Sequence, residues 1–317
     1  MRKSEDRASA SVVGLRSPVL SAHAALVGAQ VAFGLFPVIG KLVFGPGGLS
    51  PLVLGAWRLV AGTAILLPLS AAVHGRATFP ARADLLRFTI VGWLGVALNQ
   101  ALYLEGLARS TPINATLVMC LIPVFTFALA AIAGQETFGV TQVAGLLIAL
   151  CGTLALLLGR GFTLGRYGLG NLLMVANTLS YSGYLVAGRP LARRYPPLVV
   201  IAWSYALSLP FAPYFAWHAR VMPEAGHPSV WIGLVYTIVF PTVLAYLLNM
   251  FALARVPAST TAIYIYVQPL ITGLASWVVF REMPTRQMLL AAPALFLGIW
   301  LVSRRGPASP QPKPLPS

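Results

Sequence analysis

The sequence predicts an all-α membrane protein with ten transmembrane helices arranged as two inverted five-helix repeats. The chain of 317 residues is 58% hydrophobic and only 9% charged, whereas soluble domains carry roughly 25% charged residues. Apolar runs of about 20 residues, the length that crosses a bilayer, follow one another along the chain. In addition, the two halves superpose without gaps at an offset of 146 positions.

The apolar runs are continuous rather than alternating, which favours helices over the strands of a barrel. The predicted spans of the first half are 19–40, 51–73, 85–107, 113–133 and 141–158. Those of the second half are 169–188, 198–217, 230–252, 260–279 and 287–302. We therefore divide the chain into a cytoplasmic N-terminal segment 1–18, a first repeat 19–160, a second repeat 161–305 and a disordered, proline-rich tail 306–317.

The repeat is marked by pairs of identical residues in the two halves. These pairs are Pro51 and Pro197, Trp57 and Trp203, Arg109 and Arg255, Pro123 and Pro269, and Glu136 and Glu282. Because five spans per half is an odd number, the second half enters the bilayer from the opposite side, and the repeats are inverted. An N-terminus in the cytoplasm places fourteen of the 22 Lys and Arg residues inside and seven outside, which favours both termini in the cytoplasm.

The net charge of +15 comes from arginines between apolar runs and at the chain ends, which indicates basic loops rather than a nucleic-acid surface. Cys120 and Cys151 lie in apolar segments and are predicted to be buried, with no disulfide and no metal site. The chain has no P-loop and no clustered catalytic groups. We therefore expect neither an enzyme nor a resident cofactor.

Polar groups inside a bilayer are costly, so each one needs a reason. Gln100 and Tyr103 lie three residues apart and share a face of the third span. Their equivalents are Tyr246 and Asn249 in the eighth span. These four residues either line a cavity or form hydrogen bonds between helices.

The ninth span carries a longer polar stripe at a spacing of four, made of Thr260, Tyr264 and Gln268. The fourth span has Asn114 at the position equivalent to Thr260. A proline inside a helix frees a backbone carbonyl, and irregular backbone in a membrane often borders a cavity. The predicted kinks lie at Pro37, Pro123 and Pro269. Packing alone also explains such kinks.

Two further helices carry candidate residues. The sixth span has Asn177, Tyr181 and Tyr184 within about two turns, and the first has Gln30 and Phe33. Aromatic rings with hydroxyl tips suit a guest that has both apolar and hydrogen-bonding groups. Aromatic belts at the membrane interface are the competing explanation.

Four charged positions lead to structural hypotheses. Arg58 in the second span and Glu105 in the third are expected to form an ion pair. Glu136 and Glu282 each lie a few residues before the next span. An acid is stabilised at a helix N-terminus, so we expect both glutamates to serve the helices that follow them.

The two copies resemble a known family. Residues 107–136 read LARSTPINATLVMCLIPVFTFALAAIAGQE, and residues 253–282 read LARVPASTTAIYIYVQPLITGLASWVVFRE. The proline within the span, the glutamate after it and the glycine-rich span that follows resemble the EamA family of the drug/metabolite transporter superfamily. Within that family, the chain is most similar to the YddG-type amino-acid exporters.

The resemblance implies a carrier in a bacterial inner membrane that works by alternating access. Its central cavity would be lined mainly by spans one, three, four, six, eight and nine. The implied partners are the lipid bilayer and a small-molecule substrate, namely amino acids or related metabolites, and we expect a monomer. Phosphorylated or nucleotide-linked sugars, and organic cations or drugs, are the alternatives. Spans four, eight and nine lack basic residues, which weakens the sugar-phosphate alternative.

Overall fold

The computed structural model describes residues 2–110, 118–158, 168–217, 219–280 and 286–303. Within these ranges every regular element is a helix and no strand occurs. The first half contains α1 (Arg2–Val43), α2 (Pro51–His74), α3 (Arg82–Ala108), α4 (Leu121–Ile132) and α5 (Val140–Leu158). The second half contains α6 (Gly168–Arg194), α7 (Pro197–Phe215), α8 (Pro228–Leu253), α9 (258–280) and α10 (Arg286–Ser303).

The helices are long and their outward surface is apolar. Among the described residues, five helical stretches are long and apolar enough to cross a membrane, namely Val19–Gly40 within α1, Pro51–Thr78, which extends α2, and the whole of α3, α7 and α8. Large apolar side chains face outward, and Ile132 is 83% exposed and Val140 87% exposed. Because water would destabilise such a surface, the bilayer is its natural surrounding.

Several helix pairings have a counterpart formed by the equivalent helices of the other half. α3 packs on α6 as α8 packs on α1, and α4 packs on α6 as α9 packs on α1. Two further pairings join equivalent helices, α2 with α7 and α5 with α10. The internal repeat of the sequence is therefore also a repeat in three-dimensional packing.

The equivalent helices α2 and α7 begin alike and run in opposite directions. Each begins with a proline, which suits a first turn whose N–H groups have no partner in the helix. Trp57 of α2 donates its indole N–H to the carbonyl of Val221, beyond the end of α7, at 2.6 Å. Its equivalent Trp203 of α7 donates to the carbonyl of Thr78, beyond the end of α2, at 2.7 Å. The beginning of each helix therefore lies beside the end of the other.

α3 and α8 share an irregularity at the same place in the repeat. α3 contains the π-helical stretch Trp93–Ala97, and α8 contains the π-helical stretch Ile238–Leu244. Gly95 and Pro241 occupy equivalent positions within them. Proline lacks the N–H that the helix ladder needs, and a π turn leaves carbonyls available for other partners.

Neighbouring helices use the carbonyls that the π turn of α3 leaves available. Ser180 of α6 donates to the carbonyl of Leu94, and Tyr246 of α8 donates to that of Gly95, each at 2.7 Å. A side chain at position 95 would overlap the ring of Tyr184, so glycine is required there. The irregular turn thus ties α3 to both α6 and α8.

The predicted prolines lie in three different settings. α9 changes from an α-helix at Ala258–Ile263 to a 3₁₀ stretch at Tyr264–Val267 and returns to an α-helix at Gln268–Phe280, just before Pro269. Pro123 lies in the first turn of α4. α1 continues past Pro37 without a change of helix type.

Several boundaries differ from the sequence predictions. α1 begins at Arg2, so the backbone of the predicted segment 1–18 continues the first helix. α6 extends to Arg194 rather than ending at residue 188. The beginning of the predicted span 113–133 and the whole tail 306–317 lie outside the described residues.

The two cysteines have different surroundings. Cys120 is buried as predicted, but Cys151 is exposed, because the face of α5 that carries it points away from the packed helices. Neither forms a disulfide with a described residue. Over the described ranges, no group of three or more His, Cys, Asp and Glu side chains is placed to hold a metal ion.

Candidate functional site: a cavity between the two halves

A small cavity lies between helices of both halves. Its volume is about 50 Å³, room for a few water molecules at ~10–15 Å³ each. It is lined by Phe33, Phe36, Arg58, Asn99, Tyr103, Met119, Ile122, Asn177, Tyr181, Tyr246, Ile265 and Gln268. These residues come from the six spans that the resemblance implied, with Arg58 of α2 in addition. Of the described residues in this lining, Arg58 alone is charged.

Asn177 of α6 has a defined orientation in the cavity wall. Its Nδ2 donates to the backbone carbonyl of Asn99 in α3 at 2.8 Å. Because a carbonyl can only accept, the amide nitrogen must face it, and Oδ1 points elsewhere. Asn177 is 1% exposed, and its Oδ1 has no hydrogen-bond partner among the described residues. The wall therefore contains a buried acceptor without a donor.

A pair of glutamines joins α9 and α1 at the cavity wall. Gln268 donates from Nε2 to Oε1 of Gln30 at 2.6 Å. One turn further along α9, the Thr272 hydroxyl donates to the carbonyl of Gly34 at 2.6 Å. A Cβ on Gly34 would lie 2.9 Å from the side chain of Ile271, so this glycine permits the close approach of the two helices.

Aromatic side chains from α6 and α8 form a packed cluster beside the cavity. Tyr181 accepts a hydrogen bond from Nδ2 of Asn249 at 2.6 Å. The ring centroids of Tyr181 and Tyr184 are 5.4 Å apart, and those of Tyr184 and Tyr246 are 6.1 Å apart. Such tilted and edge-to-face contacts fix the orientation of the rings.

Arg58 is 4% exposed, and the predicted ion pair with Glu105 is wrong. Its Nε donates to Oγ1 of Thr242 in α8 at 2.8 Å, and its guanidinium lies 5.1 Å from the ring centroid of Phe36. Glu105 instead pairs with Arg109, one turn along the same helix. The local pair forms because residues four apart on a helix are neighbours.

The predicted substrate-binding residues differ in their position relative to the cavity. Six line the cavity, namely Phe33, Tyr103, Asn177, Tyr181, Tyr246 and Gln268. Three contact lining residues from behind, namely Gln30, Tyr184 and Asn249. Gln100 and Thr260 are buried without lining it. Asn114 lies outside the described residues.

Tyr264 does not line the cavity. Its hydroxyl is 2.7 Å from Nδ1 of His23 in α1, and its ring packs with Leu26 in a separate apolar cluster. The predicted stripe through Tyr264 and Gln268 is therefore divided between two surroundings.

Six lining residues were not among the predicted site residues, namely Phe36, Arg58, Asn99, Met119, Ile122 and Ile265. Arg58 stood out in the sequence as a charged residue within a span, and two others had a signal in their spacing. Asn99 lies four residues before Tyr103, and Phe36 lies three after Phe33, so each shares a helix face with a predicted residue. The apolar members could not be told from ordinary packing residues.

Glu136 binds a helix N-terminus, but not that of the helix that follows it. Its Oε1 accepts the backbone N–H of Ala258, the first residue of α9, at 2.9 Å, and its Oε2 accepts the hydroxyl of Ser259. Arg189 at the end of α6 pairs with Oε1 at 3.1 Å. The expectation that it serves α5 is therefore wrong. Glu282 lies outside the described residues.

Comparison with known proteins gives a consistent family match. Residues 20–158 and 168–304 each match the model of the EamA-like transporter family. An uncharacterized transporter of Bacillus subtilis, YdfC, is 26% identical over 89% of this chain and 89% of its own length. A second, YyaM, is 25% identical over 80% of this chain and 85% of its own.

One relative carries a named substrate. The probable terminal-alkyne amino-acid exporter of Streptantibioticus cattleyicolor is 25% identical over 71% of this chain and 75% of its own length. A solved crystal structure covers 91% of this chain and 96% of its own, with a TM-score of 0.74 and 22% identity. That structural likeness concerns the fold alone.

Proposed function

Because this chain belongs to the EamA-like transporter family, it is a membrane transporter, and we propose that it exports amino acids or related small amphipathic metabolites. The observation that carries this proposal is the cavity lining, where aromatic rings lie beside amide and phenol groups and one arginine. Such a lining suits a guest with an apolar body and hydrogen-bonding groups. The relative named as an amino-acid exporter supports the same class, and a YddG-like specificity is part of the proposal.

The proposed topology is ten transmembrane helices in two inverted halves, with a repeat at 19–160 and another at 161–305. Its support comes first from connections that meet at one end of the bundle. Asp84, in the first turn of α3, pairs with Arg194 at 2.9 Å and accepts from the Tyr195 hydroxyl at 2.6 Å, both near the junction of α6 and α7. Glu136, after α4, binds Ser259 at the start of α9 at that same end.

Another set of connections meets at the opposite end. The N–H of Glu224, between α7 and α8, donates to the carbonyl of Gly47, between α1 and α2, at 2.9 Å. Ser110, after α3, donates to Asn171 near the start of α6 at 2.7 Å. Ten crossings place each of these partners on the same side of the membrane, so both sets of contacts agree with the proposed topology.

We place both termini in the cytoplasm of a bacterial cell, with the protein as a monomer in the inner membrane. The excess of Lys and Arg in the loops on that side supports the orientation. The relatives in Bacillus subtilis and Streptantibioticus cattleyicolor support a bacterial membrane.

The proposed mechanism is alternating access, in which the two halves rock about the cavity. In this conformation the cavity has room for only a few water molecules, so alternating access requires its walls to move apart when a larger guest binds. The irregular stretches Trp93–Ala97, Ile238–Leu244 and Tyr264–Val267 lie next to lining residues and supply places where the helices can bend.

Carriers of phosphorylated or nucleotide-linked sugars are the second candidate, because Arg58 favours an anion. A phosphate ester usually requires several basic groups, whereas the described lining has one. Organic cations are disfavoured by the same charge.

Counterflow in proteoliposomes tests the proposal. Vesicles loaded with one compound are diluted into a trace of its radiolabelled form, against a panel of amino acids, sugar phosphates and organic cations, with protein-free vesicles as the control. We expect transient accumulation of at least one amino acid. Counterflow restricted to another class, or unsaturable flux without counterflow, would contradict the proposal.

A further inference from the structure

Arg58 is a buried cation that pairs with none of the carboxylates in the described part of the chain. Each of the four carboxylates whose side chains the structure describes pairs with another arginine, as Glu136 does with Arg189. None of these pairs includes Arg58. Because a charge inside a membrane is costly, an unpaired one marks an ion or substrate site more often than a structural one.

The protein satisfies Arg58 only in part. A guanidinium has five N–H donors. In the described part of the chain Nε of Arg58 donates to Thr242, the Tyr205 hydroxyl lies close to the guanidinium, and the ring of Phe36 covers one of its faces. Arg58 lines the cavity, no described carboxylate pairs with its guanidinium, and two parallel N–H donors match the two oxygens of a carboxylate.

Asn177 provides the complementary group in the same cavity. Its Oδ1 is a buried acceptor that no described residue satisfies. A buried acceptor is destabilising until a donor reaches it. An amino or hydroxyl group of a bound metabolite would supply that donor.

We propose that Arg58 binds the carboxylate of the transported metabolite and that Oδ1 of Asn177 accepts a hydrogen bond from its amino or hydroxyl group. This inference rests on the proposed function and narrows its substrate class to amphipathic carboxylates that carry a nearby N–H or O–H donor. Amino acids and hydroxy acids meet that description, whereas amines without a carboxylate do not.

The second half has no equivalent cation. The position that corresponds to Arg58 is Ser204, which is buried and donates its hydroxyl to the carbonyl of Val200 in its own helix at 2.8 Å. The cavity therefore offers a carboxylate one charged site, which gives the guest a single preferred orientation.

Thermal stabilisation of the purified full-length protein in detergent measures binding without requiring transport. The probes form two series. The aromatic series is phenylalanine, phenylalaninamide, phenethylamine and 3-phenylpropionate, and the aliphatic series is leucine with its matching analogues. We expect at least one amino acid to bind roughly 10- to 100-fold more tightly than its amide and its amine, the loss expected when a hydrogen bond to a charged group is removed.

Variants assign that preference to residues. Arg58→Gln should abolish the preference for a carboxylate, and Arg58→Lys should keep part of it. Asn177→Leu should weaken binding of the amino acid but not of 3-phenylpropionate. Ser204→Ala, at the equivalent position of the other half, is the matched control and should bind like the wild type. If Arg58→Gln does not fold, the wild-type probe series and Arg58→Lys still test whether Arg58 binds the carboxylate.

The inference is overturned if, in both series, the wild type binds carboxylates no more tightly than their amides and amines, including the case in which no probe binds. It is also overturned if folded Arg58→Gln keeps the preference. Counterflow remains the separate test of export. Amino-acid counterflow without carboxylate selectivity would refute the inference alone, and selective binding without counterflow would refute the proposed function alone.

Discussion

Glu136 joins three helices at one end of the bundle, and its removal should destabilise the fold. Its carboxylate lies 3.1 Å from the guanidinium of Arg189 and 2.9 Å from the N–H of Ala258. The paired side chains of Arg189 and Glu136 are only 10% and 6% exposed. Breaking a buried pair from one side costs about 3–5 kcal/mol, because the remaining charge stays buried. We expect Glu136→Ala to lower the free energy of unfolding by that amount.

Removal of Arg189 should lower the free energy of unfolding less than removal of Glu136. In Arg189→Ala, Glu136 keeps the N–H donors at the start of α9 and the hydroxyl of Ser259. A loss of about 1.5–3 kcal/mol is expected for one charged hydrogen bond. In the double variant no unpaired arginine remains, so the two effects should not add, and the coupling free energy should be about 1–3 kcal/mol.

Unfolding of the four proteins in detergent, followed by tryptophan fluorescence, measures this cycle. The control is the exposed pair Arg220 and Glu224, in the connection between α7 and α8, whose side chains are 58% and 45% exposed. The hydrogen bond from Arg220 lowers the pKa of Glu224, but solvent screens such a pair, and Glu224→Ala should cause no measurable change. Additive effects of Glu136→Ala and Arg189→Ala would refute the reasoning.

Two other substitutions test the cavity wall and the helix contacts. Asn249→Leu removes the amide that donates to Tyr181 at 2.6 Å. It should lower the initial rate of counterflow about tenfold at unchanged membrane insertion. An unchanged rate would show that Asn249 does not support the site. Gly95→Ala forces a methyl group into the ring of Tyr184 and should cost about 1–3 kcal/mol of unfolding free energy. Gly168→Ala, which meets no heavy atom within 4 Å, is its control in the same unfolding assay, and equal effects would contradict the packing explanation.

Helical spacing predicted residue faces only where the helix stays regular. Tyr264 and Gln268, four residues apart, share a face of an α-helix, where each residue turns the chain by about 100°. The stretch Tyr264–Val267 is 3₁₀, where each residue turns it by about 120°. The two side chains consequently diverge, and Gln268 lines the cavity while Tyr264 contacts His23.

Ion pairing was less predictable than helix position, because it depends on which side chains and helix ends meet in the folded bundle. Glu105 lies one turn from Arg109 and pairs within its own helix. Glu136 bonds to α9, which is distant in sequence but begins beside it. Hydropathy locates the spans and the repeat offset. The partner of a charged side chain depends instead on which helix ends meet, and the packing of the whole bundle determines those meetings.

The contacts that respect the repeat and those that break it have different locations. Trp57 and Trp203 make equivalent hydrogen bonds near the helix ends, and the π stretches around Gly95 and Pro241 coincide in the two halves. Arg58, which lines the cavity, has no charged counterpart in the other half. A carrier whose halves exchange conformations needs matched ends and matched bending points, because each half must adopt the shape of the other. A substrate with a carboxylate at one end needs an unmatched site, so substrate preference should follow the residues that break the repeat at the cavity.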